Sequence, residues 1–324
     1  MQRRMLLAAA LTAPRLASPR LARAQAAWPA ERPVEVIVPF PPGGGVDIMT
    51  RLVMPLVAAR IPGMVAVVSN RPGAASQIGL EAVFNAAPDG YTLGATSTPA
   101  HSAIPIERPA RYRALDFTFL ANIVEDPNCF YVRSESPFRT LGDLVTQARA
   151  RPGGLDYGTT GVGSDDHITM LAFEALAGIP PLIHVPFNGV APLLPQLLGG
   201  HLAMGVGNTS DLATLSKEGR MRGLAVASAG RVAELPEVPT FRELGFDIVA
   251  AAARGIVAPP GLPPAVAARL QEAFRDALAD GDFRREAARQ HMPLRPLIGA
   301  DYQGMATRVD EQLHALWKLR PWRA

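Results

Sequence analysis

The run Pro39 to Asp47, PFPPGGGVD, sets three consecutive glycines between an apolar strand pattern, Val34 to Val38, and an amphipathic helix pattern, Val46 to Arg60. Without a Cβ, consecutive amides can turn towards one point, and the first turn of the next helix adds unpaired N–H groups and the positive end of its dipole. These are the parts of an anion cradle, although a plain strand-to-helix turn uses the same residues. No Gly-Lys-Ser/Thr follows and the G-x-G-x-x-G spacing is missing, which argues against a nucleotide and for a carboxylate. A second loop, Tyr157 to Asp165, repeats the pattern of strand, glycine turn and helix. Its hydroxyls at Thr159, Thr160 and Ser164 are donors suited to carboxylate oxygens, and Ser164 also stands where a helix cap belongs.

Other reactive side chains have structural readings. Asp165, Asp166 and His167 are consecutive, so on a helix they point in different directions, whereas metal ligands prefer i, i+3 or i+4 spacing. The two acids suit a helix first turn, and His167 reads as a half-buried packing residue. Cys129 is the only cysteine and lies in an apolar strand pattern without a nearby histidine, so it reads as a core residue and no intrachain disulfide can form. No G-x-S-x-G nucleophile elbow occurs. The chain therefore reads as a non-enzyme without cofactor or metal, its cleft poor in titratable groups.

Short apolar runs alternate with helical patterns in a βα rhythm that predicts mainly parallel sheets flanked by helices. Strand patterns cover Val34 to Val38, Val65 to Ser69, Thr92 to Thr96, Phe117 to Ile123, Cys129 to Val132, Leu155 to Gly158, Ile183 to Val185, Ala203 to Val206, Gly223 to Ser228 and Ile248 to Ala258. Helical patterns include Ser76 to Ala86, Thr140 to Arg149, Asp165 to Ala177, Val190 to Leu198, Pro264 to Ala279, Asp282 to Gln290 and Ala300 to Leu319. Asp126-Pro127-Asn128 reads as a turn that opens a second block of βα units, and Asp247 to Arg254 precedes three helices that need a sheet to cover. Two crossings between lobes follow. Residues 27–125 plus 250–324 form one lobe and 126–249 the other, with a cleft between them suited to a small ligand.

At 324 residues and 48% hydrophobic, the chain can bury two such lobes. Residues 1–26 hold five arginines, no acid, an apolar stretch from Met5 to Ala13 and the small-residue site Ala24-Gln25-Ala26, the composition of an export signal. Arg3 and Arg4 fit a twin-arginine consensus only loosely, so ordinary secretion is the expected route. Removing five arginines from a net +3 leaves the mature chain near −2, with its remaining arginines scattered among acids. Nucleic acid is disfavoured as a partner.

Several ordered motifs resemble one family. They are Trp28-Pro29 with Arg32-Pro33, PFPPGGGVD, Asn70-Arg71-Pro72-Gly73-Ala74, Pro88-Asp89-Gly90-Tyr91-Thr92, GTTGVGSDDH, Val185-Pro186-Phe187-Asn188-Gly189, Leu198-Gly199-Gly200, Pro239-Thr240 with Glu243-Leu244-Gly245, and Ala258-Pro259-Pro260-Gly261. From about Trp28 onward the chain is similar to the extracytoplasmic substrate receptors of tripartite tricarboxylate transporters, the Bug receptors. The resemblance implies a type II periplasmic-binding-protein fold, α/β in class: two α/β lobes that close on a small organic acid in the cleft between them. It also implies a periplasmic protein that delivers its ligand to membrane permease subunits and works as a monomer. Handing the liganded form to a membrane sensor kinase is the alternative use, and a periplasmic enzyme acting on an organic acid is a more distant one.

In that family the carboxylate is held by main-chain amides and hydroxyls of the two glycine loops. The resemblance points to Phe40, Pro42, Gly43, Gly44, Val46 and Asp47 in the first loop, and to Thr160, Gly161, Gly163, Ser164 and Asp165 in the second. Ser97 and Thr98, with Asn188 and Asn208, would contact the distal part of the ligand. The Asn70 and Pro88 motifs are explained by turn chemistry, since Gly73 and Gly90 supply permissive φ and Asp89 closes an Asx turn. Pro41 and Pro42 stand where many relatives have small residues, and each removes an amide donor. The segment Ala250 to Arg254 replaces an aromatic residue often found in the family, which makes Arg254 the one charged side chain able to reach the cleft and fix a second carboxylate; a surface or interlobe role is expected over that contact. His101 is expected to face solvent.

Overall fold

The computed structural model describes residues 28–319 and 321–322. The expected export segment, residues 1–26, lies outside the described residues. The first βα units run β1 (Val34–Val38), α1 (Gly45–Ala59), β2 (Ala66–Asn70), α2 (Gln77–Phe84), β3 (Thr92–Thr98) and α3 (Ala100–Glu107). β1 pairs in parallel with β2 and β3, as βα crossovers require. The chain then enters β4 (Thr118–Arg133), a strand of 16 residues. Up to Pro127, β4 pairs with β9 (Ala251–Ala258); from Asn128 it pairs with β7 (Met204–Asn208) and β8 (Met221–Val226). One strand thus serves both lobes. The turn expected at Asp126-Pro127-Asn128 is extended strand instead, and Pro127, which has no N–H to donate, sits where β4 changes partners.

The second lobe adds α4 (Leu141–Ala150), β5 (Asp156–Thr159), α5 (Asp165–Ala177), β6 (Ile183–Pro186), α6 (Val190–Leu198) and α7 (Thr209–Lys217). β5 lies parallel to β6 and β7. The chain returns through β9 to α8 (Pro264–Ala279), α9 (Gly281–Arg289), β10 (Leu294–Ile298) and α10 (Ala300–Leu319). β10 was not expected from the sequence; nor were α3 and α7, which are short and begin directly at the ends of β3 and β7. The expectation of mainly parallel sheets needs correction, because β4 and β9 run antiparallel to every strand they touch. A strand that leaves one lobe and another that returns must point in opposite directions.

Each lobe has its own core. In the first, Val36, Met49, Val53 and Phe274 pack between the sheet and helices α1 and α8; in the second, Phe130, Tyr157, Phe173 and Phe241 pack between the sheet and α5. A smaller cluster of Ala103, Val162, Leu313 and Trp322 joins α3 and α10 to the second glycine loop. The crossing strand β9 is packed to its backbone at Gly255, where a Cβ would stand 2.5 Å from the Ala121 carbonyl oxygen and 2.7 Å from the Tyr302 ring. Gly255→Ala is therefore expected to lower unfolding free energy by about 2–3 kcal/mol in a urea titration, since a backbone oxygen cannot step aside. A loss below about 0.5 kcal/mol would show that β9 is looser than these distances imply.

Candidate functional site

The C-terminal ends of the parallel strands converge on the seam between the lobes, the usual ligand-binding edge of an α/β sheet. The loops after β1, β5 and β6 meet there with the ends of β3 and β7. They enclose a cavity of about 50 Å³ lined by Phe40, Pro41, Gly44, Gly45, Val46, Ser97, Thr160, Asp165, Gly189, Val190, Ala191, Asn208, Asp211 and Arg254. Of the expected residues, Phe40, Gly44, Val46, Ser97, Thr160, Asp165 and Asn208 are brought together in this wall.

The first loop is held from behind. Gly43, at φ +82°, donates its N–H to Asp47 Oδ2 at 2.9 Å. Asp47 Oδ1 accepts from Arg51 at 2.9 Å and from Asn70 at 2.8 Å, and Asn70 also donates to the Phe40 carbonyl. Burial pushes the Asp47 carboxyl up, but the bonds from Arg51, Gly43 and Asn70 outweigh it and hold the group below its ordinary range. Asp47 therefore shapes the loop from inside the first lobe. The Asn70 motif shares in this bracing, beyond the turn role read for it. No side chain caps α1, so the amides that open its first turn, from Gly44 to Val46, lack a partner from the helix itself, and these three residues line the cavity.

The second loop is different. Asp166 Oδ2 accepts from the Thr160 amide at 2.9 Å and the Thr160 hydroxyl at 2.5 Å. The Gly161 amide donates to Thr159 Oγ1, the Gly163 amide to His167 Nδ1, and the Ser164 amide to the Gly161 carbonyl. Ser164 Oγ caps α5 by accepting from the His167 amide at 3.3 Å. An amide cradle was expected here, yet most of these donors are spent within the loop, because Asp166 and His167 on the first turn of α5 fold back over it. Gly161, Gly163 and Ser164 lie outside the cavity wall, as does Pro42. Asn188 stands on the seam with Phe40, Pro41 and Thr160, and Gly43 on a neighbouring cavity. Thr98 opens onto the far side of β9.

The expectation of a cleft poor in titratable groups is overturned. Arg254 is buried, with Nη1 3.0 Å from Asp126 Oδ2 and Nη2 donating to Asn208 Oδ1 at 2.7 Å. In register it stands opposite Ser97 on β3 and Val124 on β4, which puts Asp126 two residues along on the same face. Asp126 also accepts from the Thr209 hydroxyl at 2.9 Å and from the amide and hydroxyl of Ser210. Asn208 donates to the Asp126 carbonyl and to Asp165 Oδ2, both at 3.0 Å; Asn128 donates to Asp165 Oδ2 at 2.6 Å and Asp166 Oδ1 at 3.0 Å. Burial, followed by the charge of Asp165, pushes the Asp166 carboxyl well above its ordinary value. Burial alone would pull the Arg254 guanidinium down, but Asp126, Asp211, Asp165 and Asp166 outweigh it and keep the cation. The interlobe role expected of Arg254 is what the geometry shows, and its side chain lines the cavity as well.

Asp211 was missed as a member of this wall, and Asp126 as the ion-pair partner of Arg254. The available signal was an arginine in an otherwise small and apolar strand, since a buried guanidinium demands an acid partner. Exposure was the wrong expectation for His101. It is buried, with Nδ1 3.0 Å from Thr98 Oγ1, and burial pulls its imidazole down to about 4 despite the opposing hydrogen bond with the Ser97 backbone. Among the described residues, no group of three or more metal-ligating side chains could hold a metal ion, and no helix is long and apolar enough to cross a membrane.

Asp211 provides a test of these electrostatics. Burial raises its carboxyl to about 6, with Arg254 opposing and Asp126 adding to the rise. A folded-state value above the unfolded one means that the folded protein binds this proton more tightly. Stability from this group is therefore full below about pH 4 and is lost as pH rises through about 6. Asp211→Asn is expected to raise stability at pH 7 by about 1–3 kcal/mol and to flatten its pH dependence between about 4 and 6. Melting curves across that range check it; an unchanged slope would mean that Asp211 is better solvated than its surroundings suggest.

A sequence-family model described as "Tripartite tricarboxylate transporter family receptor" matches residues 51–314. The chain belongs to this receptor family. BugT of Bordetella pertussis is 32% identical over 251 residues, covering 76% of each chain. Among solved structures, MatC from Rhodopseudomonas palustris with bound malate superposes with a TM-score of 0.82 at 27% identity, covering 88% of this chain and 99% of its own. An R. palustris protein with adipate superposes with a TM-score of 0.79 at 29% identity, covering 90% and 96% of the two chains. The tripartite tricarboxylate transporter receptors are periplasmic solute-binding proteins rather than enzymes, so the two α/β lobes with a cleft between them are those of a type II periplasmic binding protein.

Proposed function

We propose that this receptor captures a small organic acid in the interlobe cleft and delivers it to the membrane permease subunits of a tripartite transporter. The observation that carries this reading is the uncapped start of α1, whose first-turn residues line a cavity shared with the opposite lobe. A carboxylate placed there gains several N–H donors and the helix dipole together. The neighbours solved with malate and adipate agree with an acid as ligand. Phe40, Gly44, Val46, Ser97, Thr160, Asp165 and Asn208 form the contact wall. Pro42, Gly43, Asp47, Gly161, Gly163 and Ser164 shape the two loops, and Thr98 and Asn188 border them.

The lobes divide at residues 125/126 and 249/250, so that the moving bodies are 27–125 with 250–324 and 126–249. Residues 1–26 direct secretion by the general route, and the mature receptor acts as a monomer. Closure excludes water and strengthens each amide-to-carboxylate bond. The purified receptor is expected to gain thermal stability with mono-, di- or tricarboxylates but not with their matched amides, because a ligand that binds only the folded form raises its melting temperature. Equal response to acid and amide, or none to either, would overturn the carboxylate reading.

A further inference from the structure

The cavity wall sets two carboxylates, Asp165 and Asp211, against one guanidinium, Arg254. Asp165 is buried, and both hydrogen bonds to its side chain, from Asn128 and Asn208, fall on Oδ2. Asp211 likewise accepts the Asn208 amide on Oδ2 at 3.2 Å. Oδ1 of each carboxylate is left for a donor that the described residues do not supply, and both residues line the same cavity. The cation in the wall is already engaged, since Arg254 is held by Asp126 and Asn208. Asp165 is buried and Asp211 half-buried, and a carboxylate pair with unspent acceptors beside a cation whose donors are taken favours a further positive partner.

We propose that the ligand is a zwitterion: its carboxylate meets the first-turn amides of α1, and its protonated amine donates to Asp165 and Asp211. This rests on the carboxylate reading above and narrows its substrate class to amino acids and related amino carboxylates. A second carboxylate directed at this end would face Asp165 and Asp211 across a small, poorly solvated space, whereas an ammonium there gains two charge-assisted hydrogen bonds. Longer side chains have an outlet, because a cavity of about 230 Å³ shares Gly45, Val190, Asp211 and Arg254 with the first and continues towards Arg289 and His291.

The test is calorimetric titration of the purified receptor with matched sets: alanine, propionate and ethylamine; aspartate and succinate; 4-aminobutyrate, butyrate and butylamine. At least one amino acid is expected to bind at least about tenfold more tightly than its deaminated or diacid match. Asp211→Asn, which preserves the hydrogen bond from the Asn208 amide, and Asp165→Asn are each expected to weaken that amino acid by about tenfold to a hundredfold and to leave the deaminated acid unchanged or tighter. Succinate or a monoacid binding as well as its amino counterpart would overturn the zwitterion while leaving the carboxylate reading standing. A bare amine binding as well as the amino acid would overturn the carboxylate half, and silence across every set would overturn both.

Discussion

Arg254→Met is expected to lower the unfolding free energy at pH 7 by about 3–5 kcal/mol and to abolish ligand binding. The guanidinium is buried between the two crossing strands, with Asp126 and Asn208 on its donors and Asp165, Asp166 and Asp211 close enough to act on its charge. Methionine fills much of the volume but leaves Asp126 without its counterion in a site that excludes water. Asp126→Asn in the Arg254→Met background is expected to recover at least half of the loss, since both halves of the pair are then neutral. Urea titrations at pH 7 on the single and double variants check this. A single variant within about 1 kcal/mol of the parent at pH 7 would mean that the pair is solvated after all.

Gly44→Val is expected to weaken ligand binding by at least about a hundredfold with little change in the stability of the free receptor. Gly44 has φ −82°, which any residue adopts, and a Cβ there would stand 3.8 Å from the Pro41 carbonyl and 3.9 Å from Val190 on the opposite lobe. The added methyls would therefore meet the second lobe and crowd the amides that face the ligand, without straining the first lobe. Gly161→Val does not offer the same clean separation. Gly161 has φ +147° and a Cβ there would lie 3.0 Å from the Cβ of Ala75, so backbone strain and crowding both cost stability. Titration of a ligand found in the acid panel, beside a melting curve without ligand, separates the two effects for Gly44→Val. Retained affinity would place the carboxylate away from α1.

The expected helices α5, α8 and α10 match the observed bounds because each carries a long periodic pattern with a clear start, such as Ser164 before α5 or Pro263-Pro264 at α8. Short α3 and α7 carried no such length of pattern. The strand β10 was hidden because Leu294–Ile298 holds Arg295 and Pro296 and pairs only with β4 at an irregular register. The site was legible where chemistry is local. Glycines at a strand-to-helix junction announce a loop whose amides can face a ligand, and the loop after β1 does face the cavity.

Sequence by itself determined the βα rhythm, the two glycine loops and the family motifs, because turn geometry, helix caps and hydrophobic period are set by residues within a few positions of one another. Tertiary structure decided which amides remain available and where charge collects. Asp166 and His167 consume the second loop's donors only once α5 folds back on it. Asp126 and Arg254, distant in the chain, become partners only through the register of β4 against β9. A buried charge is defined by what surrounds it, and those surroundings come from segments that meet only in the folded protein.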